Sequence, residues 1–261
     1  MRLLTLIRTY LRIAMASELQ YRASFLIQLL QSVSALAIGL VGLELVFSQM
    51  TDLAGWRAPE LLAVMGVHML MGGVVHAYIQ PNMLRLLEEI QEGSLDFALT
   101  KPVDAQAMIS LREFNLWSLV DVALGVVVLG VAVSRNQSQI GLGQGLAFVA
   151  ALLMGAVILY CFWLILSASA FWVIRVGEIV ALFAGVYAAG RWPIGIYPQW
   201  LRSSLTFIIP ITFAVTVPAE ALTGRLTTQT LLATLGLTIL LLALARLVWL
   251  LGLRRYSGAS A

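Results

Sequence analysis

One lysine, Lys101, and one cysteine, Cys161, are all that this 261-residue chain has of either. An ATP-hydrolysing P-loop ends in Gly-Lys-Ser/Thr because its lysine must reach the outer phosphates. Lys101 is followed by Pro102, so that motif is missing. A single cysteine inside an apolar stretch permits neither an intrachain disulfide nor a cysteine-built metal centre. Two histidines, His68 and His76, lack the His-Glu-x-x-His spacing of a zinc hydrolase. Charge is thin too, at 11% of residues, against roughly 25% in soluble domains.

What the chain has is apolar surface. Hydrophobic residues make up 61% and the mean hydropathy is +0.94. No soluble fold hides that much, so the solvent is lipid. The pI of about 9.3 could point to nucleic acid, but the sixteen basic residues are scattered and flank apolar stretches. That pattern sets membrane orientation instead.

The N-terminal stretch is not a cleavable signal, because Arg2, Arg8, Arg12, Glu18 and Arg22 interrupt any apolar run. Leu3, Ile7, Leu11 and Ala14 recur at helical spacing with Arg8 and Arg12 on another face, so residues 1–22 are expected to lie as an amphipathic helix in the membrane interface. A spanning helix needs about 20 apolar residues. Candidate spans are 23–47, 60–79, 114–133, 142–174, 179–192 and 230–251. Leu205–Leu222 is apolar enough to cross, but Pro210 and Pro218 would each break a helix. With six spans and the N-terminus inside, eleven basic residues lie on the cytoplasmic side and five outside. A seventh span would move Arg254 and Arg255 outside, against the positive-inside rule. The expectation is therefore an all-α protein of one transmembrane domain, 1–261, with both termini cytoplasmic and 193–224 as re-entrant helices at the outer face.

The longest polar interval, 80–113, opens with Pro81 and Asn82 and continues as an amphipathic helix, Met83–Glu92, ended by Gly93. Its charges include Arg85, Glu88, Glu89, Glu92 and Asp96, in a pattern suited to docking a partner. Within the spans, His68, His76 and Asp121 are candidates for a substrate path, since ionisable residues in membranes face a bundle interior or cavity. An arginine is the expected partner of Asp121, and Arg175 is expected to pair with Glu178. Glu44 can snorkel outward from the first span. Gly177, Ala181, Gly185 and Ala189 recur every four residues, a stripe that would let another helix approach closely.

The order of motifs is similar to that of one family. The Gly93-Ser94-Leu95-Asp96 turn leads to Leu99-Thr100-Lys101-Pro102. Later come Tyr197-Pro198-Gln199-Trp200-Leu201, Phe207-Ile208-Ile209-Pro210 and Pro218-Ala219-Glu220-Ala221-Leu222-Thr223-Gly224-Arg225. Together with the basic N-terminus, these resemble type-2 ABC exporter permeases, in particular bacterial ones of about 260 residues encoded beside a separate ATPase. The resemblance implies six spans, a second permease subunit, the same or different, and two cytoplasmic ATP-binding-cassette ATPase subunits that hold the ATP and Mg. It implies no cofactor in this chain, a coupling helix at Met83–Asp96, a plasma-membrane location, and efflux of an amphipathic drug, organic cation or lipid-like compound. A self-sufficient secondary transporter or channel, or a membrane-embedded enzyme using His68, His76 and Asp121, is the alternative. The two halves of the chain show no internal similarity of the kind some inverted-repeat transporters carry.

Overall fold

The computed structural model describes residues 22–136, 141–173 and 186–256. Their regular structure is helical, with one isolated β contact between Leu53 and Trp56. Helix α1 spans Arg22–Gln49 and α2 spans Ala58–Val74. A wide π turn, Val75–Ile79, joins α2 without interruption to α3, Gln80–Glu92. Short helices α4 (Asp96–Leu99) and α5 (Ala105–Ile109) lead to α6 (Leu119–Arg135) and α7 (Leu142–Ala168). After 310 turns at Ala188–Arg191 and Ile194–Ile196 come α8 (Gln199–Ser203), α9 (Val217–Thr223) and α10 (Thr228–Arg255). Among the described residues, four helical stretches are long and apolar enough to cross a membrane: Phe25–Gln49, Ala58–Glu92, Leu142–Phe171 and Thr228–Arg255.

Several expected boundaries move. The second span does not stop before Pro81, because the helix runs unbroken for 35 residues from Ala58 to Glu92. Proline cannot donate to the carbonyl four residues earlier and its ring crowds that carbonyl. The π turn widens the helix at that place, and the carbonyl of Ala77 accepts the Asn115 N–H instead, at 2.8 Å. Pro218 likewise fails to break its helix, for a second π turn, Thr212–Thr216, runs straight into α9. Pro210 does break the chain, at Ile209 with φ −119° and ψ 98°. The third apolar helix begins at Leu119 and not at residue 114, because Asn115 Oδ1 accepts the N–H groups of Trp117 (3.1 Å) and Ser118 (3.3 Å) in a tight turn. The fourth helix ends at Ala168 with a 310 turn to Phe171, short of residue 174. Of the expected fifth span, residues 188–191 form a 310 turn.

The long α2–α3 rod is the hub. Leu61 through His68 are buried along it, whereas Leu26, Leu30 and Ile38 of α1 stand more than 60% exposed. Exposed apolar rows of that size are what a lipid solvent covers. Helix α6 lies against α2 at backbone distance. A Cβ on Gly125 would come within 2.6 Å of Leu70 N and 2.9 Å of Gly66 O, and one on Gly73 within 2.7 Å of Val122 N. Glycine on both sides is what permits that approach in lipid.

One end of the bundle is tied by Glu60. Its carboxylate accepts from Arg225 Nη2 at 2.7 Å, and the Arg225 guanidinium sits 4.7 Å from the Trp56 ring centroid. The same carboxylate caps α2 at the Arg57 N–H, 2.8 Å away. Gly224 abuts Gln144 near the start of α7, and Gly195 abuts Ala54 in the α1–α2 turn. The beginnings of α2, α7 and α10 therefore share one level, and the 193–224 segment both leaves and rejoins the bundle there.

Candidate functional site

At the opposite end, the 104–114 segment folds back onto the α2–α3 rod around Asn82. This buried amide has all four of its hydrogen-bonding positions filled. Its nitrogen donates to Tyr78 O (2.7 Å) and Glu113 O (2.8 Å), and its oxygen accepts the N–H groups of Arg112 and Glu113, both at 2.9 Å. Ion pairs surround this clamp. Arg112 grips Glu89 with two parallel bonds of 2.8 Å, on side chains only 9% and 15% exposed. Arg85 reaches both Glu89, at 3.3 Å, and Glu113.

These contacts divide the charged residues expected to dock a partner. Arg85 and Glu89 are committed inside the chain, so they lock the segment to the rod. Glu88, Glu92 and Asp96 are exposed. Gly93, at φ 74°, ends α3, and the short helix α4 beyond it presents Phe97 with 80% of its surface exposed. The sequence reading missed both Asn82 and Phe97. An asparagine beside a proline looks like turn chemistry, and one exposed aromatic has no periodicity to betray it.

A second polar knot joins α5, α7 and α10. Arg246 donates to Asp104 Oδ2 (2.9 Å) and Gln106 Oε1 (2.7 Å), while Tyr160 and Ser110 share a hydroxyl contact of 2.7 Å. Asp104 also caps α5 by accepting the Ala107 N–H at 3.0 Å. That backbone donor first, and Arg246 second, hold its carboxyl below the ordinary carboxylate value. A groove of about 680 Å³ runs beside this knot between α2, α5 and α7.

Deeper in the bundle, a smaller cavity of about 240 Å³ brings His68, His76 and Asp121 to one place, with Gln80, Tyr187 and Arg191 also in its lining. His68 is buried and its ring stacks on Tyr187 at 4.8 Å between centroids, while Tyr187 OH donates to His68 O at 3.2 Å. Asp121 lies in the first turn of α6, where the helix N-terminus favours a carboxylate. Its partner is Gln28 of α1, whose amide donates at 3.2 Å. Among the described residues, no arginine is seen to pair with Asp121. No group of three or more His, Cys, Asp or Glu suited to a metal occurs among the described residues.

The helix-packing stripe falls mostly beyond view. Gly177, Ala181 and Gly185 lie outside the described residues, as do Arg175, Glu178 and residues 1–21 of the expected interfacial helix. Ala189 is half-buried and its carbonyl accepts Tyr197 OH at 2.8 Å. The close helix contact that is described, at Gly66, Gly73 and Gly125, went unread.

The molecule is thus an all-helical, multi-pass membrane protein with a locked polar end and a polar cavity in its apolar body. The family model described as ABC-2 family transporter protein matches residues 33–260, and the chain belongs to that family. The family's members are membrane subunits of transporters and are not themselves catalytic; they generally partner with ATP-binding-cassette ATPases. No curated protein and no solved structure matches the chain.

Proposed function

We propose that this chain is the permease subunit of an ATP-driven exporter. With a second permease, it forms the path for an amphipathic substrate, and two separate ATPase subunits bind ATP and Mg and power it. The observation that carries this reading is the Asn82 clamp. It holds an exposed acidic corner, Glu88, Glu92 and Asp96, beside the protruding Phe97, rigidly at the end of a 35-residue helix. An exposed aromatic ringed by acids suits a protein cleft better than lipid.

In this reading the Glu89 end faces the cytoplasm and the Glu60 end faces outward. The eleven-to-five bias of basic residues supports that orientation. The return of 193–224 to the end it left supports its being re-entrant and the chain having six spans. His68, His76 and Asp121 are the polar residues we assign to the substrate path, and the bacterial plasma membrane is the location.

The test is co-purification with the ATPase and its hydrolysis rate. Phe97→Ala combined with Glu88→Lys and Glu92→Lys should abolish association, with insertion unchanged because none of the three is buried. Full association of that triple variant would refute the docking corner.

A further inference from the structure

We infer that the groove between α2, α5 and α7 is a binding site for a phospholipid whose headgroup carries both a phosphate and a primary amine. The inference rests on the chain crossing a membrane and takes only the choice of leaflet from the orientation proposed above. It requires nothing of the exported substrate or of an ATPase.

Depth is the first argument. The beginnings of α2 and α10 are fastened together by the Glu60–Arg225 pair, and Gln144 in the first turn of α7 lies beside Gly224 at the same level. At 1.5 Å per residue, Tyr160 on α7 and Arg246 on α10 each lie about 27 Å along their helices from that level, and Tyr78 about 30 Å. The hydrocarbon core is about 30 Å thick. The knot of Asp104, Arg246, Ser110 and Tyr160 therefore stands at the far headgroup boundary. The groove's apolar wall, with Leu153, Ala156 and Val157, lies about 16–22 Å along, within the acyl region of that leaflet.

Charge is the second argument. Arg246 and Asp104 stay 44% and 49% exposed even while paired, so each keeps a face open. A guanidinium carries five N–H donors, and three of its contacts are to Asp104 and Gln106. Its remaining donors suit a phosphate. Asp104 Oδ1 accepts the Ala107 N–H and, at 3.5 Å, Arg246, whereas Oδ2 accepts from Arg246 alone, and its second lone pair suits an ammonium that can donate. A lone cationic rim would select any anionic lipid. A paired rim selects a zwitterion whose cation has N–H groups, which is ethanolamine and not choline.

The experiment uses the purified full-length protein in detergent, with phosphatidylethanolamine, phosphatidylcholine and phosphatidylglycerol of identical acyl chains added in equal amounts. Native mass spectrometry reads the lipid retained. Wild type should retain phosphatidylethanolamine about tenfold over either of the others, the factor of roughly one charge-assisted hydrogen bond. Arg246→Gln should lose that retention, and Asp104→Asn should keep lipid but lose the preference. Ala156→Phe leaves the rim intact and should exclude the acyl chain, so it carries the test even where a rim variant does not fold. Soluble phosphoethanolamine at millimolar concentration should displace nothing; displacement would mean that the groove plays no part. Equal retention of the three lipids by wild type, or unchanged retention in Arg246→Gln and Ala156→Phe, would overturn the inference.

Discussion

The α2–α6 contact offers a sharp test of how this protein holds together, through one methyl group. In Gly125→Ala the new Cβ falls 2.6 Å from Leu70 N, 2.9 Å from Gly66 O and 2.9 Å from Leu70 Cα. All three are backbone atoms of a buried helix, so none can rotate aside. Overpacking of this kind costs about 1–3 kcal/mol. Gly130 lies on the same helix with nothing within 4 Å of its Cβ position. Alanine in place of glycine gains about 0.5–1 kcal/mol of helix stability at either position. That term cancels in the comparison, leaving Gly125→Ala about 1–3 kcal/mol less stable than Gly130→Ala. Gly73→Ala, meeting Val122 N at 2.7 Å, should behave like Gly125→Ala. Reversible unfolding by steric trapping in bicelles measures the difference directly. Equal stability of the 125 and 130 variants would show that α2 and α6 do not touch as described.

Four further outcomes follow from the polar end and the turns. Asn82→Asp keeps the acceptor but removes the donor to Tyr78 O and Glu113 O, and should cost about 1–3 kcal/mol for each carbonyl left unpaired, read as lost thermal stability with insertion intact. Glu89→Arg or Arg112→Glu alone should cost about 3 kcal/mol, and the double swap should recover most of it; a double variant as weak as the singles would refute the pairing. Asp104 has a lowered folded pKa, so its contribution is complete above the ordinary carboxylate value of 3.8 and is lost only as pH falls through the lowered one. The thermal-stability difference between wild type and Asp104→Asn should thus stay constant from about pH 8 to pH 5 and shrink only below about pH 4. An impermeant maleimide should label Ala54→Cys on intact cells and Thr100→Cys only after permeabilisation; the reverse pattern would invert the proposed orientation.

Four of the six expected spans reappear as helices long and apolar enough to cross a membrane, and they were legible because hydrophobicity is a sum over many residues and survives errors at any one of them. What the sequence hid was how single residues use the backbone. Pro218 read as a break and Pro81 as the opening of a polar interval, since the missing donor is written in the sequence while the π turn that absorbs it is not. Asn115 moved the start of α6 by taking two N–H groups into a turn, and in the first turn of that helix Asp121 accepts from Gln28, an amide that no charge pattern in the sequence singles out. The small-residue stripe singled out in the sequence lies mostly outside the described residues, and the close approach that the structure does show is at Gly66, Gly73 and Gly125. Every expected span carries at least one glycine, so their presence could not choose the crossing at Gly66 and Gly125. The histidines and Asp121 were singled out for their cost in lipid, and that cost is physical wherever the helix register falls. They share a cavity because a buried polar group draws others toward it.

The unbroken rod from Ala58 to Glu92 also bears on how force would travel. A docking corner on a flexible loop would dissipate any push within the loop. Here Asn82 and the Glu89–Arg112 pair fix the 104–114 segment to the rod, and the same rod carries His68 and His76 into the cavity. Between the two lies the π turn, in which His76 itself sits. Its backbone is not loose, because the carbonyl released by Pro81 is taken up by Asn115, at the entry to α6. Displacing the corner must therefore move Asn115 along with the rod. Asn115 sets the first turn of α6, where Asp121 meets Gln28 of α1. A movement at the Glu89 end thus reaches both walls of the histidine cavity through fixed hydrogen bonds, with no hinge between.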